Sequence, residues 1–423
     1  MASDGKASVE GHDSRRTRVL YVEGNPDGTV GGSFILMMDL ILGLDRRRFE
    51  PIAIFRFENH VAQQLRDTGV EVIIAPPRAP LTFRNRWIAV PLAPVKKLVN
   101  FFGGFIVPIL RYASFLKKHR IDLVNLNNSI TRNHPWMVAA LITRTPCITH
   151  EMGINPSYSA LSRFLGRRLG AVICLSHAIH DAMKSRGADL PNVVVIHCGI
   201  DVCRYRQVES PRDLRRKHGI PVDAPVIGVV GNLRRWKGQE TIVRAVGLLR
   251  TKFPTIRCVL TGGATPADAA YMERMKTIVV ELGIESQVLF VGFQKNAIDY
   301  MRLMDVVAHT STSPEPFGIV TLEAMSLGKP LVSTTIGGPA EVVVNGVTGI
   351  LVEPGNPEAL AGAISRLLDD SGAAVEMGER GRRRLHEEFS LEKNLRRTLE
   401  IYQRVLGHRT LEMGVPENEA VHP

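Results

Sequence analysis

The segment Ser311-Thr-Ser-Pro-Glu-Pro-Phe-Gly-Ile-Val-Thr-Leu-Glu323 joins two different periodicities. Before it, Met304-Asp-Val-Val-Ala-His309 is an apolar run that reads as a short buried strand. Pro314 and Pro316 break that strand, and Gly318 permits a tight approach. Ile319, Leu322, Ala324 and Met325 then set helical spacing. A strand, a small polar loop and a helix start make an anion site. The free N–H groups from about Phe317 to Val320 point at the loop mouth, where the helix dipole favours phosphate. Two carboxylates frame the mouth, Glu315 in the loop and Glu323 in the helix. Were both helical, the rise would part them by about 12 Å. Hydrolytic carboxyl pairs lie roughly 5–9.5 Å apart, so this pair is a poor acid/base couple for hydrolysis. It suits the two sugars of a nucleotide-sugar, with the pyrophosphate between them on the helix N-terminus. The plainer reading is a Glu before a helix and another inside it.

The context favours the first reading. Glu323 leads into Ala324-Met-Ser-Leu-Gly-Lys-Pro-Leu-Val-Ser-Thr334, a helix stopped by Gly328, with Pro330 just beyond and a further apolar strand. The whole segment resembles the Glu-x7-Glu signature of the family-4 retaining glycosyltransferases, which have the GT-B fold. Gly337-Gly-Pro-Ala-Glu341 and Asn345-Gly-Val-Thr-Gly-Ile-Leu-Val352 look like that family's following loop and strand pair.

Composition sets the bounds. A chain of 423 residues exceeds what one core usually supports, so two domains are expected. Hydrophobic content of 44% and charged content of 22% suit a globular enzyme. Cys147, Cys174, Cys198, Cys203 and Cys258 are odd in number and never spaced Cys-x2-Cys, which points to free thiols in a reducing compartment. The polar stretch before Arg18 has no apolar core of the signal-peptide kind and reads as a flexible tail. A net charge of +11 and a pI near 9.6 call for an anionic partner. The basic residues are scattered and no nucleic-acid motif is present, so nucleic acid is not expected as a partner.

From the N-terminus, Arg18–Val22 is a strand, followed by a loop ending in Gly31-Gly32-Ser33 and a helix from Phe34 to about Leu44. Such a loop can hold phosphate through backbone N–H groups, though it matches neither the dinucleotide nor the P-loop fingerprint. Strands at 51–55 and 70–74 flank a helix at 60–67, the alternation of a parallel sheet. Residues 76–94 are proline-rich and irregular. Further strands follow at 121–126, ending in Asn127-Asn128, and at 146–149, running into His150. Strands at 171–175 and 193–201 close the first half.

Lys96 to Lys118 is the least ordinary stretch. Its apolar run, Phe101–Leu110, is about half a bilayer span. One reading is a helix packed on the sheet and kinked at Gly103-Gly104 and Pro108. The other is an interfacial element, with Lys96, Lys97, Arg111, Lys117 and Lys118 meeting anionic headgroups.

A charged linker, 204–225, precedes the strand Val226–Val230, which opens a second β-α series. Gly231-Asn-Leu-Arg-Arg-Trp-Lys-Gly238 follows it, placing cations where they can neutralise a pyrophosphate. Later strands are read at 256–261 and 288–293, and helices at 239–251, 357–368, 376–389 and 391–406.

The resemblance covers about residues 17–406 and implies two Rossmann-like doubly wound α/β domains facing across a cleft. Residues 1–16 would be a tail, 17–203 the acceptor domain, and 204–390 the nucleotide-sugar domain. Residues 391–408 would be a helix crossing back onto the first domain, and 409–423 a loose tail. The implied activity is retaining transfer of a hexosyl group from a UDP- or GDP-sugar to a glycan or lipid-linked glycan, with no cofactor and no metal. The chain has no Asp-x-Asp of the kind metal-dependent transferases use. By the same resemblance Glu315 would hold the donor sugar and Glu323 the ribose, with Phe317, Gly318, Ile319 and Val320 at the phosphates. Gly31 and Gly32 would face the donor phosphates and the acceptor, and His150 the donor sugar from across the cleft. Lys237 and an arginine would stabilise the departing diphosphate. The family's usual arginine position holds Asn232, so Arg235, ahead of Arg234, is the expected substitute, or Asn232 itself in a weaker role. A cytoplasmic protein, peripheral on the inner membrane face, fits this reading. The rivals are a nucleotide-sugar epimerase of the same fold and a non-catalytic sugar-nucleotide-binding subunit.

Overall fold

A computed structural model describes residues 15–25, 30–76 and 93–407. Both expected tails, apart from a few residues, and nearly all of the proline-rich segment lie outside the described residues.

The first sheet contains β1 (Thr17–Val22), β2 (Phe49–Phe55), β3 (Glu71–Ile74), β4 (Leu123–Leu126), β5 (Cys147–Glu151), β6 (Ala171–Cys174) and β7 (Val193–Val195). All its pairings are parallel, in the order β3-β2-β1-β4-β5-β6-β7. The second contains β8 (Val226–Val230), β9 (Arg257–Thr261), β10 (Val288–Gly292), β11 (Val306–His309), β12 (Leu331–Thr334) and β13 (Ile350–Val352), parallel in the order β10-β9-β8-β11-β12-β13. These strands are near-continuous apolar runs because helices cover both faces. Alternation persists as a sorting between faces: Leu20 and Val22 enter one core cluster, Val19 and Tyr21 another.

The expected return of the last helix is present. Leu391–Leu406 packs on the first sheet, where Ile401 and Tyr402 join the cluster of Val19, Tyr21 and Ile148. The Tyr402 hydroxyl lies 2.9 Å from that of Tyr21 and accepts from Asn125 Nδ2 at 2.6 Å. Tyrosine serves here because its ring fills the core while its hydroxyl meets polar groups buried in the sheet.

Three local expectations shift. The helix after the glycine loop starts at Gly32, two residues early, because Gly31 takes the extended N-cap conformation. The helix expected at 376–389 begins at Ser371, where Asp370 accepts from the Ala373 N–H. β7 is only three residues long, since the chain then leaves the sheet and Ile200 bridges to Ser390 instead.

Candidate active site between the two domains

In each sheet the strand order reverses beside the first strand of the domain, between β1 and β4 and between β8 and β11. Loops leaving such a switch point diverge and open a crevice at the carboxyl ends of the strands. β8 delivers residues 231–238 there, and β11 delivers 310–318. From the first domain come Gly31 and Gly32 after β1, and Asn127 and Asn128 after β4.

The two loops of the second domain touch. Gly238 has φ of 68°, and a Cβ there would lie 2.0 Å from the Thr310 carbonyl oxygen, so only glycine fits. This contact lays Lys237 against the carboxylate of Glu315, with Nζ 2.5 Å from Oε1. The other oxygen accepts from His309 Nε2 at 2.7 Å and from the Ser311 hydroxyl at 2.9 Å. A carboxylate has no hydrogen to give, so His309 carries its proton on Nε2; its Nδ1 lies 3.2 Å from the Ser333 hydroxyl. Burial acts to raise the Glu315 pKa, but His309 and Lys237 outweigh it and hold the carboxyl down at about 2.

Glu323 experiences the reverse. It sits in the helix Ile319–Ser326, where burial pushes its pKa up, partly offset by the Tyr205 hydroxyl, which donates to it at 3.3 Å. One carboxylate is thus held charged beside a cation, while its neighbour is half-buried with one weak donor among the described residues.

Between them the helix N-terminus is bare. Gly318 is the N-cap, with φ of 78° and no capping side chain. The N–H groups of Gly318, Ile319 and Val320 meet no backbone acceptor among the described residues; the first bond inward is Thr321 N–H to Gly318 O at 2.9 Å. Gly337 and Gly338 wrap this turn closely. A Cβ on the first would lie 2.5 Å from Glu315 O, and on the second 2.4 Å from Phe317 Cα. The glycine pair in the sequence therefore supports the carboxylate loop from behind.

A cavity of about 790 Å³ fills the crevice, within the range of small-molecule sites. Gly32, Ser33 and Asn128 line one side; Glu315, the stretch Phe317–Val320 and Glu323 line the other. A Cβ on Gly32 would stand 3.2 Å from Ile319 Cδ1, so the glycine loop and the bare helix face each other.

Not every expected residue meets the cavity. Gly31 is not one of the residues lining the cavity, and a Cβ on it would meet nothing within 4 Å among the described residues. Asn232 and Arg235 are exposed, and Asn232 uses its carbonyl to accept from Gln239 Nε2 at 3.0 Å. Lys237 reaches the site through its ion pair with Glu315. His150 is 3% exposed, and its Nε2 is buried without a partner. Burial lowers its pKa to about 4, so the ring is neutral. It lies two residues before Met152, which does line the cavity. Sequence reading had passed over His309, Ser311 and Tyr205. The signal for the first was a titratable residue closing an apolar strand six positions before Glu315.

The domains are clasped beside this site. Glu341 of the second domain accepts from the His177 and Ala178 N–H groups at 2.9 and 2.8 Å and lies 2.9 Å from His197 Nε2. Burial opposes ionisation, but His197 and the two amides lower the Glu341 pKa. A carboxylate with a depressed folded pKa stabilises above its unfolded value of 4.5 and loses that contribution as pH falls through the folded value. Glu341→Gln is therefore expected to lower the unfolding temperature at pH 7, with the deficit shrinking below about pH 4.5. Thermal unfolding of both proteins across that range checks it, and a deficit that does not change with pH would discard the clasp.

Two facing Rossmann-like domains, with a bare helix N-terminus, paired carboxylates and a lysine in the cleft, define a GT-B enzyme. Sequence comparison agrees in both halves. The profile for glycosyl transferases group 1 matches residues 211–384, and that for glycosyltransferase family 4 matches residues 30–204. The chain belongs to the group 1 glycosyltransferases of family 4. It is 30% identical over 281 residues to the lipopolysaccharide core biosynthesis mannosyltransferase LpcC of Rhizobium leguminosarum bv. viciae, covering 65% of this chain and 77% of LpcC. With LpsB of Rhizobium meliloti, named for the same activity, it shares 28% identity over 251 residues, 59% of this chain and 70% of LpsB. Among solved structures, HepE of Anabaena in complex with UDP superposes with a TM-score of 0.76 at 24% identity, covering 92% of this chain and all of HepE.

Proposed function

We propose that the enzyme transfers a hexosyl group, with retention of anomeric configuration and without bound metal, from a nucleotide diphosphate sugar to a glycan or lipid-linked glycan of the cell surface. The observation that carries this reading is the Glu315–Lys237 pair beside the bare N-terminus at Gly318–Val320. A diphosphate leaving group gains negative charge as the glycosidic bond breaks. Lys237 and the free N–H groups are fixed where that charge develops, and a preorganised cation needs no reorganisation at the moment of reaction. Glu315, held ionised, accepts hydrogen bonds from the donor sugar's hydroxyls. Glu323 takes the ribose hydroxyls, and closure around Gly32 excludes water. Arg235 supplies the second cation only if the exposed Arg234-Arg235 turn folds inward over the donor. His150, neutral, meets the sugar from the first domain only if the cavity opens toward its buried Nε2.

The named activities of LpcC and LpsB make mannose the first sugar to test, and the UDP bound by HepE makes uridine the first alternative base. A thermal-shift screen of UDP, GDP and ADP and their sugar conjugates, in the presence of EDTA, tests the reading. A ligand at 100 times its Kd contributes about 2.7 kcal/mol. Stabilisation by one base, larger with one sugar, is expected. No shift from any of them at millimolar concentration would remove the metal-free donor site and favour a non-catalytic role.

A further inference from the structure

Ala93–Phe101, Phe102–Ile106 and Val107–Lys118 form one continuous helix, with a π turn at the Gly103-Gly104 pair in place of a sharp kink. Its two halves live in different surroundings. The C-terminal half packs on the helix His134–Thr143: Ile109 and Leu116 are buried, and Tyr112 stacks on Trp136 at 3.8 Å between ring centroids. In the N-terminal half, Gly103 alone is buried between residues 94 and 106. Leu98, Phe101 and Phe102 are each about half exposed, and Val95 likewise. The expectation of a helix packed on the sheet is thus met in one half only.

Length explains the difference. The 25 residues from Pro94 to Lys118 rise about 38 Å, while β4, with its four residues, covers about 13 Å. A crossover helix runs antiparallel to its strands, so the surplus projects past the carboxyl edge of the sheet, on the side where the cleft opens. There the sheet offers it nothing to pack against. Exposed apolar area of this kind on a soluble domain marks a contact surface.

Charge identifies the partner. No Asp or Glu occurs between residues 93 and 121, whereas Lys96, Lys97, Arg111, Lys117 and Lys118 do. All but Lys96 are exposed. We propose that this helix docks the enzyme on an anionic lipid surface, with Leu98, Phe101 and Phe102 entering the headgroup boundary and the lysines meeting lipid phosphates. The segment is apolar and long enough to cross a bilayer. Crossing would, however, pull Ile109, Tyr112 and Leu116 out of the folded core, so the helix lies in the surface plane. Docking at this rim turns the cleft mouth toward the membrane, where a lipid-linked acceptor would present its sugar. That consequence rests on the transfer reading; the docking itself does not.

The experiment is sedimentation of the full chain with vesicles of phosphatidylcholine alone and of phosphatidylcholine containing one-third phosphatidylglycerol, with the unfolding temperature as the control for an intact fold and the thermal shift from UDP, GDP and ADP as the control for the donor site. The wild type is expected to bind only the anionic vesicles, and less as salt rises. Lys96→Glu/Lys97→Glu and Phe101→Ser/Phe102→Ser should each lower the partition by about tenfold or more without changing the nucleotide shift. Three results would overturn the proposal. One is equal binding to both vesicle types or to neither. Another is a wild-type dimer in sedimentation equilibrium that the phenylalanine variant dissolves, which makes a second copy the occupant. The third is a vesicle-indifferent monomer in which residues 94–106 resist hydrogen exchange, which assigns the face to residues 77–92. Vesicle binding without any nucleotide shift would leave docking standing and sink the donor site.

Discussion

Glu315→Gln is expected to lower kcat/KM for transfer by about 10³-fold and to destabilise the fold by about 3 kcal/mol. Glutamine keeps the volume of the side chain, so packing hardly changes. Three donors, Lys237 Nζ, His309 Nε2 and the Ser311 hydroxyl, converge on the carboxylate. An amide oxygen can serve part of that set, and its NH2 must then face another donor. The Lys237 side chain is only 17% exposed, and its ammonium would lose its counter-charge. Transfer assays with the donor found in the screen, alongside denaturant unfolding, measure both effects. A folded variant with turnover within tenfold of wild type would remove Glu315 from the donor site.

The second large effect is at Lys237. Lys237→Met keeps the aliphatic stem against the Trp236 ring, over which the ammonium now sits at 4.6 Å, and removes only the charge. Loss of one preorganised electrostatic contact to a leaving group costs about 10²–10³-fold in kcat. Because Lys237 and Glu315 hold each other, their effects should not add. The double variant Lys237→Met/Glu315→Gln should be less destabilised than the sum of the singles, by about 0.5–3 kcal/mol. The pH dependence follows the same pair. A carboxyl held at about 2 in the fold, against 4.5 when free, stabilises above pH 4.5 and loses that contribution as pH falls toward 2. That acid-side slope should be reduced in both single variants. Additive losses, or an unchanged slope, would mean that the pair seen here is not the working arrangement.

Much of the fold was legible in the chain. Short apolar runs and period-3.6 patterns separated by Gly and Pro placed nearly every strand within a residue or two, because strands covered on both faces must be continuously apolar. The carboxylate loop was legible for a related reason. Pro314, Pro316 and Gly318 are residue types whose backbone limits allow few conformations, and Glu323 follows at a helical offset. The sequence also showed that Lys96–Lys118 is both apolar and basic. It could not say which half of that helix is covered, since cover depends on how far the sheet extends beneath it.

The sequence alone determined what is local: the alternation of elements, the glycines at Gly238 and Gly318, the bare helix start and the two glutamates beside it. These follow from backbone sterics and side-chain periodicity over a few residues. Only the tertiary structure decided what meets across long separations. It set Lys237 on Glu315, His309 behind them and Tyr205 on Glu323. It buried His150, left Asn232 and Arg235 exposed, and tied Glu341 to the opposite domain. The reason is the switch point. Which loops converge depends on the order of strands across a sheet, and that order is set by packing over hundreds of residues.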